Sequence, residues 1–402
     1  MNGRTVKTKI KILNSNGKPL ENQEISFVQQ SHEFLFGCNA FDFLGEQIVS
    51  EDDEKKKFEE RNAKWLEIFN FGTLPFYWGT YESEEGSTLK NAMMTAAKKL
   101  QSKNVVLKGH PLCWHTVCAP WLLKYDTETI FQKQMERIKR EVSDFKGIVD
   151  IWDAINEVVI LPHFNRYDNA VSRMEKKYGQ IKLVKSVFDE AQKYNPEGIF
   201  LLNDFNTSPN YADLIEKCLN AGVRIDAIGI QSHQHQGAWS MEKLEEVLFR
   251  FEKFNLPIHF TENTMVSGCP VPPEIQDLND FQYEDDASTP EFEEKQKDDM
   301  EKFYRAIFEN HPQVKAITNW DFCDGAWLNA PSGLLRRDNS EKPVYKMLKN
   351  LIKNEWWTNL NLKTDKNGFV EVEGFKGEYI ISTDKKKSKK FILEDKDLEI
   401  IL

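Results

Sequence analysis

The sequence predicts an α/β fold: a (β/α)8 TIM barrel with a small β-domain formed by the N- and C-terminal segments. Two observations carry this. Through the middle of the chain a short apolar, β-rich run is followed by a polar turn and a helical stretch, and the pattern occurs eight times. At both ends, apolar and polar residues alternate with the period of a strand. The repeated runs cover residues 34–38, 68–73, 104–109, 148–154, 198–202, 226–230, 257–261 and 314–319. Helical stretches lie between them, at 54–68, 127–143, 174–194, 241–254 and 292–309. Parallel strands need crossover helices, so this alternation calls for a parallel sheet, and eight units favour its closure. A doubly wound open sheet is the alternative, but no G-x-G-x-x-G follows the first strand.

Residues 1–30, 31–355 and 356–402 are the expected divisions, with the barrel in the middle. Ile10, Ile12, Ile25 and Phe27 mark two alternating runs, and Asn16-Gly17 between them predicts a hairpin. Leu360 and Leu362, Val370 and Val372, then Tyr379 and Ile381 mark further strands, with turns at Asn367-Gly368 and 374–377. The basic run at 385–390 is expected to be a solvated turn. A long insertion at 263–291 follows the seventh barrel strand. Between Glu274 and Glu301, twelve acidic residues stand against two basic ones. The segment is either a solvated surface loop or a substrate-facing lid.

A net charge of -11 argues against a nucleic-acid surface and for a substrate that is not anionic. No apolar stretch is long enough to span a membrane. Cys38, Cys113, Cys118, Cys218, Cys269 and Cys323 are irregularly spaced and expected to be free buried thiols. The start, Met1-Asn-Gly-Arg-Thr5, lacks a hydrophobic signal core, so the chain is expected to be cytoplasmic, or secreted if a leader has been removed.

In a barrel of this type chemistry sits at the C-terminal ends of the strands. Six of the eight ends are rich in reactive or hydrogen-bonding groups. They read Gly109-His110-Pro-Leu-Cys-Trp114-His115, Trp152-Asp153-Ala-Ile-Asn156-Glu157, Asn203-Asp204-Phe-Asn206, Gln231-Ser-His233-Gln-His235, Phe260-Thr261-Glu262-Asn263 and Trp320-Asp321-Phe-Cys-Asp324. Glu157 and Glu262 each close an apolar run, three strands apart around the ring. Two carboxyls facing one sugar suit glycosidic cleavage, one protonating the leaving oxygen while the other attacks the anomeric carbon. The competing reading is that each makes a structural ion pair. His110, His115, His233 and His235 read either as metal ligands or as hydrogen-bond donors. No H-E-x-x-H or cysteine pair supports a metal, and none is expected, nor any cofactor. Trp114, Trp320 and Trp327 are either core residues or stacking platforms for sugar rings.

At these residues the chain resembles glycoside hydrolase family 10, the endo-β-1,4-xylanases, over roughly residues 30–350. Gly109–His115 is similar to the family's G-H-T-L-V-W-H, and Trp152–Glu157 to its W-D-V-V-N-E. Asp226–His233 resembles D-G-I-G-L-Q-S-H, Thr261-Glu262 opens its T-E-L-D, and Trp320 and Asp324 keep its W-x-x-x-D spacing. The resemblance implies retaining double displacement on xylan or a related xylose-containing polysaccharide or oligosaccharide; a monomer is expected. It makes Glu157 the acid/base, Glu262 the nucleophile and Asn156 a partner of the sugar 2-hydroxyl. His110, Trp114, Gln231 and His233 line the reacting subsite, Trp320 forms its floor, and Trp327 also binds substrate.

Three departures from the family pattern follow. The family's E-N-x-x-K-W, which grips the next xylose, is replaced by Thr73-Leu-Pro-Phe-Tyr-Trp78, and xylose selectivity is expected to fall. Its T-E-L-D becomes Thr261-Glu-Asn-Thr264, so Thr264 cannot support His233 as an anion. Trp327 lies one residue nearer Trp320 than the usual second tryptophan, which reshapes the leaving-group side. Two other functional classes compete: a carbohydrate-binding protein on a decayed barrel, and a metal-dependent hydrolase or isomerase.

Overall fold

A computed structural model describes residues 3–285, 287–383 and 388–402. The strands run in the order β1 (Thr5–Leu13), β2 (Glu24–His32), β3 (Leu35–Asn39), β4 (Phe71–Pro75), β5 (Val106–His110), β6 (Ile151–Asn156), β7 (Ile199–Asp204), β8 (Ala227–Gln234), β9 (Ile258–Met265), β10 (Val314–Asn319), β11 (Asn359–Lys363), β12 (Phe369–Phe375), β13 (Gly377–Thr383), β14 (Ser388–Leu393) and β15 (Leu398–Ile401). Strands β3 to β10 pair in parallel, and β10 returns to β3, closing an eight-stranded barrel. Helices lie between the barrel strands, so the fold is a (β/α)8 barrel with additional sheets from the chain ends.

Both faces of the barrel strands are covered, which is why they read as near-continuous apolar runs rather than alternating ones. Their outer residues pack on the helices in one large core that includes Phe36, Leu107, Phe200, Ile228 and Phe260. Phe71, Ile151, Leu201, Ala227 and Ala316 form a smaller apolar cluster with Leu35. Several helices start on a side-chain cap that satisfies an orphan backbone N–H. Asp126, Asn169, Ser208, Ser240 and Thr289 each accept such a bond at the head of the helices Thr127–Phe145, Ala170–Tyr178, Pro209–Asn220, Met241–Glu252 and Pro290–Asn310.

Seven of the eight barrel strands begin one to three residues later than predicted; Val314–Asn319 coincides. Residues 68–70 form the turn after the helix Asp52–Leu66, with the Ile68 N–H bonded back to the Trp65 carbonyl. The single helix expected over 174–194 is two, Ala170–Tyr178 and Gln180–Tyr194, broken at Gly179 with φ of 81°. A left-handed residue ends one helix and only glycine takes that conformation without strain.

The expected N-terminal hairpin is also corrected. The turn forms, with the Gly17 N–H donating to the Asn14 carbonyl, but β1 and β2 do not pair. β1 lies between β12 and β15, antiparallel to the first and parallel to the second, while β2 lies between β11 and β13 in a four-stranded sheet with β14. Each sheet has one apolar face, and joining the two faces buries more surface than a lone hairpin can. Val6, Ile10, Ile12, Val370, Val372 and Ile400 of one sheet meet Ile25, Phe27, Tyr379, Ile381 and Leu393 of the other in a single core. Arg4 ties this sandwich to the barrel, donating to the carbonyls of Phe308, His311 and Val314. The basic run is described only from Ser388, where β14 starts; Lys385–Lys387 lie outside the described residues.

Candidate active site

The six polar strand ends converge on the C-terminal mouth of the barrel. Glu157 follows β6 directly and has φ of 57°, a left-handed conformation that costs a non-glycine residue about 1–3 kcal/mol. Its N–H donates to the Asn203 carbonyl at 2.8 Å, which holds the turn. Glu262 lies inside β9 and is 4% exposed. β7 and β8 stand between the two carboxyl-bearing strands, and their side chains join them. The Asn203 amide donates to Asn156 Oδ1 at 2.8 Å and to Glu262 Oε1 at 2.9 Å, while its carbonyl oxygen accepts from Thr261 at 2.6 Å. Gln231 donates to Asn156 Oδ1 at 3.1 Å and to Glu157 Oε1 at 3.3 Å. Asn156 Nδ2 donates to Glu157 Oε1 at 3.2 Å, and Trp114 Nε1 to Glu157 Oε2 at 2.8 Å. Gly229 is what admits Asn203: a Cβ there would lie 2.4 Å from Asn203 Oδ1.

Below Glu262 sits a buried ionic pair. Lys108 on β5 and Asp153 on β6, both fully buried, meet at 2.6 Å. The same Asp153 oxygen lies 2.7 Å from His110 Nδ1, and that nitrogen is 3.9 Å from Glu262 Oε1. Burial pushes the Asp153 carboxyl up, but Lys108 and His110 together outweigh it and hold the group below its ordinary value. An ionised Asp153 only accepts, so His110 Nδ1 carries the proton. His233 Nε2 lies 3.2 Å from Glu262 Oε2, and its Nδ1 faces the Thr264 hydroxyl at 3.3 Å.

The two carboxyls are pushed apart in acidity. Burial, and then the nearby Glu262 charge, raise Glu157 to about 8. Burial also acts to raise Glu262, but the charge of His110 and the bond and charge of His233 prevail and hold it below the usual value. One group is therefore a proton donor near neutral pH while the other is an anion, which is the division of labour an acid and a nucleophile require. The ionised Glu262 accepts from His233 Nε2, leaving Nδ1 to the Thr264 hydroxyl, a neutral partner.

Aromatic rings wall the same mouth. Trp320 is 7% exposed, with its ring 5.2 Å from His110 and 5.5 Å from Phe41. Trp327 is half-buried, 4.7 Å from the His233 ring. His110, Trp114, Asn156, Gln231, His233, Trp320 and Trp327 thus join Glu157 and Glu262 in one connected set. His115 and His235 take no part in the hydrogen bonding: His115 packs on Phe164 at 4.4 Å with Nδ1 unpartnered, and neither ring nitrogen of His235 has a partner. Burial lowers them to about 4 and about 3, so both are neutral imidazoles. Among the described residues no group of three or more His, Cys, Asp or Glu side chains is disposed to hold a metal ion. The cysteines are free, but Cys269 is exposed and Cys118 only partly covered, contrary to the expectation that all are buried.

Three residues take roles that the sequence does not assign, although Asn203 opens one of the polar strand ends. Tyr77, where the family pattern has its polar grip, puts its ring 5.4 Å from His110 and 5.6 Å from Trp114. Asn203 is the bridge between the carboxyls, and Lys108 the cation beneath them. Lys108 was detectable as a charge inside an apolar strand, one residue before Gly109-His110. The Tyr77 ring has no such signal, because its neighbours come from β5 and its following loop. Beyond β9, the loop expected over 263–291 starts after Met265 and ends at the helix Pro290–Asn310, whose first turn carries Glu291 and Glu293. Acidic side chains there face the positive end of the helix dipole. A cavity of 570 Å³ lined by Glu284, Glu293 and Arg336 contains neither Glu157 nor Glu262.

A profile of glycosyl hydrolase family 10 matches residues 76–351. The chain is 24% identical over 380 residues to the anti-sigma-I factor RsgI6 of Acetivibrio thermocellus, covering 93% of this chain and 44% of that protein. It is 28% identical over 234 residues to endo-1,4-beta-xylanase B of Thermotoga neapolitana, covering 55% of this chain and 60% of that protein. The chain thus spans less than two thirds of either relative. In fold it is similar to xylanase 10B from Thermotoga petrophila RKU-1, solved in complex with xylobiose, with a TM-score of 0.64 at 23% identity over 80% of this chain and 95% of that one.

Proposed function

The chain belongs to glycosyl hydrolase family 10, and from that premise we propose that it cleaves β-1,4-linked xylan or a related xylose-containing glycan with retention of anomeric configuration. The observation that carries the reading is the pair of carboxyls, Glu262 buried and Glu157 half-buried, held in one hydrogen-bond network with opposed acidities. In the first step Glu157, protonated below about 8, gives its proton to the glycosidic oxygen while ionised Glu262 attacks the anomeric carbon. Esterification removes the Glu262 charge that helps to raise Glu157, so Glu157 then becomes the stronger acid and serves as base for the incoming water. Asn156, fixed by Asn203 and Gln231, is placed beside both carboxyls to bond the sugar hydroxyl next to the reacting carbon. His110 and His233 hold Glu262 as the anion. Trp320 offers an apolar face to the ring, and Trp114, Tyr77 and Trp327 wall it.

The division of the chain into a catalytic barrel over residues 31–355 and a β-module of 1–30 and 356–402 belongs to the same reading. Where the family has a polar grip, Phe76 and Trp78 are buried in the core and Tyr77 between them faces the mouth, which favours an aromatic contact with the next sugar over a hydrogen-bonded one, so decorated xylo-oligosaccharides are the preferred class.

The test is hydrolysis of a panel of aryl β-glycosides and xylo-oligosaccharides, with the first-formed anomer followed by NMR. Release of the β-anomer, lost in both Glu157→Ala and Glu262→Ala, supports the reading; an α-anomer overturns retention. A second reading is a carbohydrate-binding protein on a decayed barrel; a relative whose match covers 93% of this chain is named an anti-sigma factor and not a xylanase. It requires binding of the same oligosaccharides with no product on any panel member.

A further inference from the structure

We propose that residues 266–285 are a strap that closes one end of the cleft and confines the enzyme to chain ends and short oligosaccharides, an inference that rests on the glycan-hydrolase reading above. The strap's single helical turn, Leu278–Asp280, joins the two catalytic walls. On the acid side, Trp114 donates to Glu157, its ring meets His115 at 6.2 Å, and His115 packs on Phe164 at 4.4 Å. Two residues on, Arg166 pairs with Asp280 at 2.6 Å and with Asp277. On the nucleophile side, His233 bonds Glu262, its ring lies 4.7 Å from Trp327, and Trp327 Nε1 donates to Asn279 at 3.2 Å. Consecutive residues of one turn therefore hold a side chain from each wall.

Topology sets where this bridge lies. Arg166 belongs to the loop after β6 and Asp277–Asp280 to the loop after β9, and β7 and β8 stand between those strands in the barrel. The connections that follow β7 and β8 are short, with helices beginning at Pro209 and Met241, so a contact between the outer two loops spans their ends. The base of the strap is firm. The Val271 N–H donates to the His235 carbonyl, the Tyr283 N–H to the Leu328 carbonyl, and Val271, Tyr283, Leu328 and Ala330 form a small apolar core of their own. Its tip is not: Arg166, Asp277 and Asp280 are 47%, 38% and 52% exposed, and ion pairs that exposed are weak and screened by salt. A glycan bound past the carboxyls on this side meets the strap, whereas the opposite side, toward β3 and β4, carries the rings of Phe41, Tyr77 and Trp320. A chain threaded through in mid-length needs the clasp open.

The test compares viscosity loss per reducing end released from soluble xylan, beside kcat/KM on an aryl β-xylobioside. Expected for the wild type is release of reducing ends with little loss of viscosity. Arg166→Ala, and separately the pair Asp277→Asn with Asp280→Asn, should raise the viscosity loss per reducing end by about threefold or more while kcat/KM on the aryl substrate stays within about twofold. About 0.5 M NaCl should move the wild type the same way and leave the variants unmoved. Thermal midpoints show that each variant is folded. A wild type that already thins xylan steeply, or folded variants with an unchanged slope, overturns the strap. A protein inert on the aryl substrate as well overturns the hydrolase reading, and the strap's role with it.

Discussion

In the β-sandwich, apolar side chains point inward and charged ones stay in water; at the barrel mouth both kinds are buried together. The sandwich core is made of residues such as Ile10, Ile12, Phe27 and Val372. Lysine and glutamate fill the alternate positions, and pairs such as Lys7 with Glu371 and Lys11 with Glu399 lie on the outside. The mouth buries Lys108, Asp153 and Glu262 within a few ångströms of one another, with Glu157 half-buried beside them. Burial of a charge is unfavourable unless it is paired and hydrogen-bonded, so such a cluster needs a rigid frame that holds the partners in place. The closed barrel is that frame, whereas the sandwich keeps charges such as Lys7 and Glu371 in water and needs none.

The sharpest way to break this comparison is at the carboxyls. Glu262→Ala and Glu157→Ala should each lower kcat/KM on an aryl glycoside by about 10³-fold or more, about 4 kcal/mol, with little change in thermal midpoint. In the sandwich the reverse holds. Phe27→Ala should destabilise the protein by about 3–5 kcal/mol in urea denaturation, while kcat measured below the transition stays at the wild-type value. If kcat also collapses, the sandwich takes part in the site.

Smaller effects sharpen the boundary inside the mouth. Asn203→Ala removes the amide that touches both Asn156 and Glu262, and should lower kcat by roughly 10–100-fold with a smaller effect on KM. Gly229→Ala should reproduce part of that loss, because its methyl group collides with Asn203 and not with the substrate. The smallest effect is in pH. The alkaline limb of kcat/KM should fall with an apparent pKa near 8, since catalysis needs Glu157 protonated in the free enzyme. The same shift acts on stability. A carboxyl whose folded value exceeds its unfolded value binds more protons in the native state, so stability falls as pH rises from 4.5 toward 8. Glu157→Gln should flatten that fall in a series of melts across this range.

Much of the site is legible in the chain because a polar residue that follows an apolar strand run has little reason to be there unless it is used. Glu157, Glu262, His110 and His233 stand out in this way. Asn203 stands out equally as a strand end, yet nothing local says that its amide reaches strands on both sides. Tyr77 is one aromatic among several between Phe76 and Trp78 and is picked out only by the rings that surround it.

Local pattern by itself determined the eight βα units, the alternating strands at both ends, the helix starts at Thr127 and Met241 and the glutamates at the strand ends, because hydrophobic period, capping and turn chemistry act between residues close in sequence. Tertiary structure decided the rest. Whether β1 pairs with β2 or with β12 depends on which apolar faces meet, and that is a property of segments more than 300 residues apart. Which carboxyl holds a proton depends on burial and on Lys108, His110 and His233, three side chains from two other strands. That Arg166 reaches Asp280 depends on the barrel having set the loops after β6 and β9 within reach across the short connections that follow β7 and β8. Charge interactions and packing act through space, and only the folded barrel defines those distances.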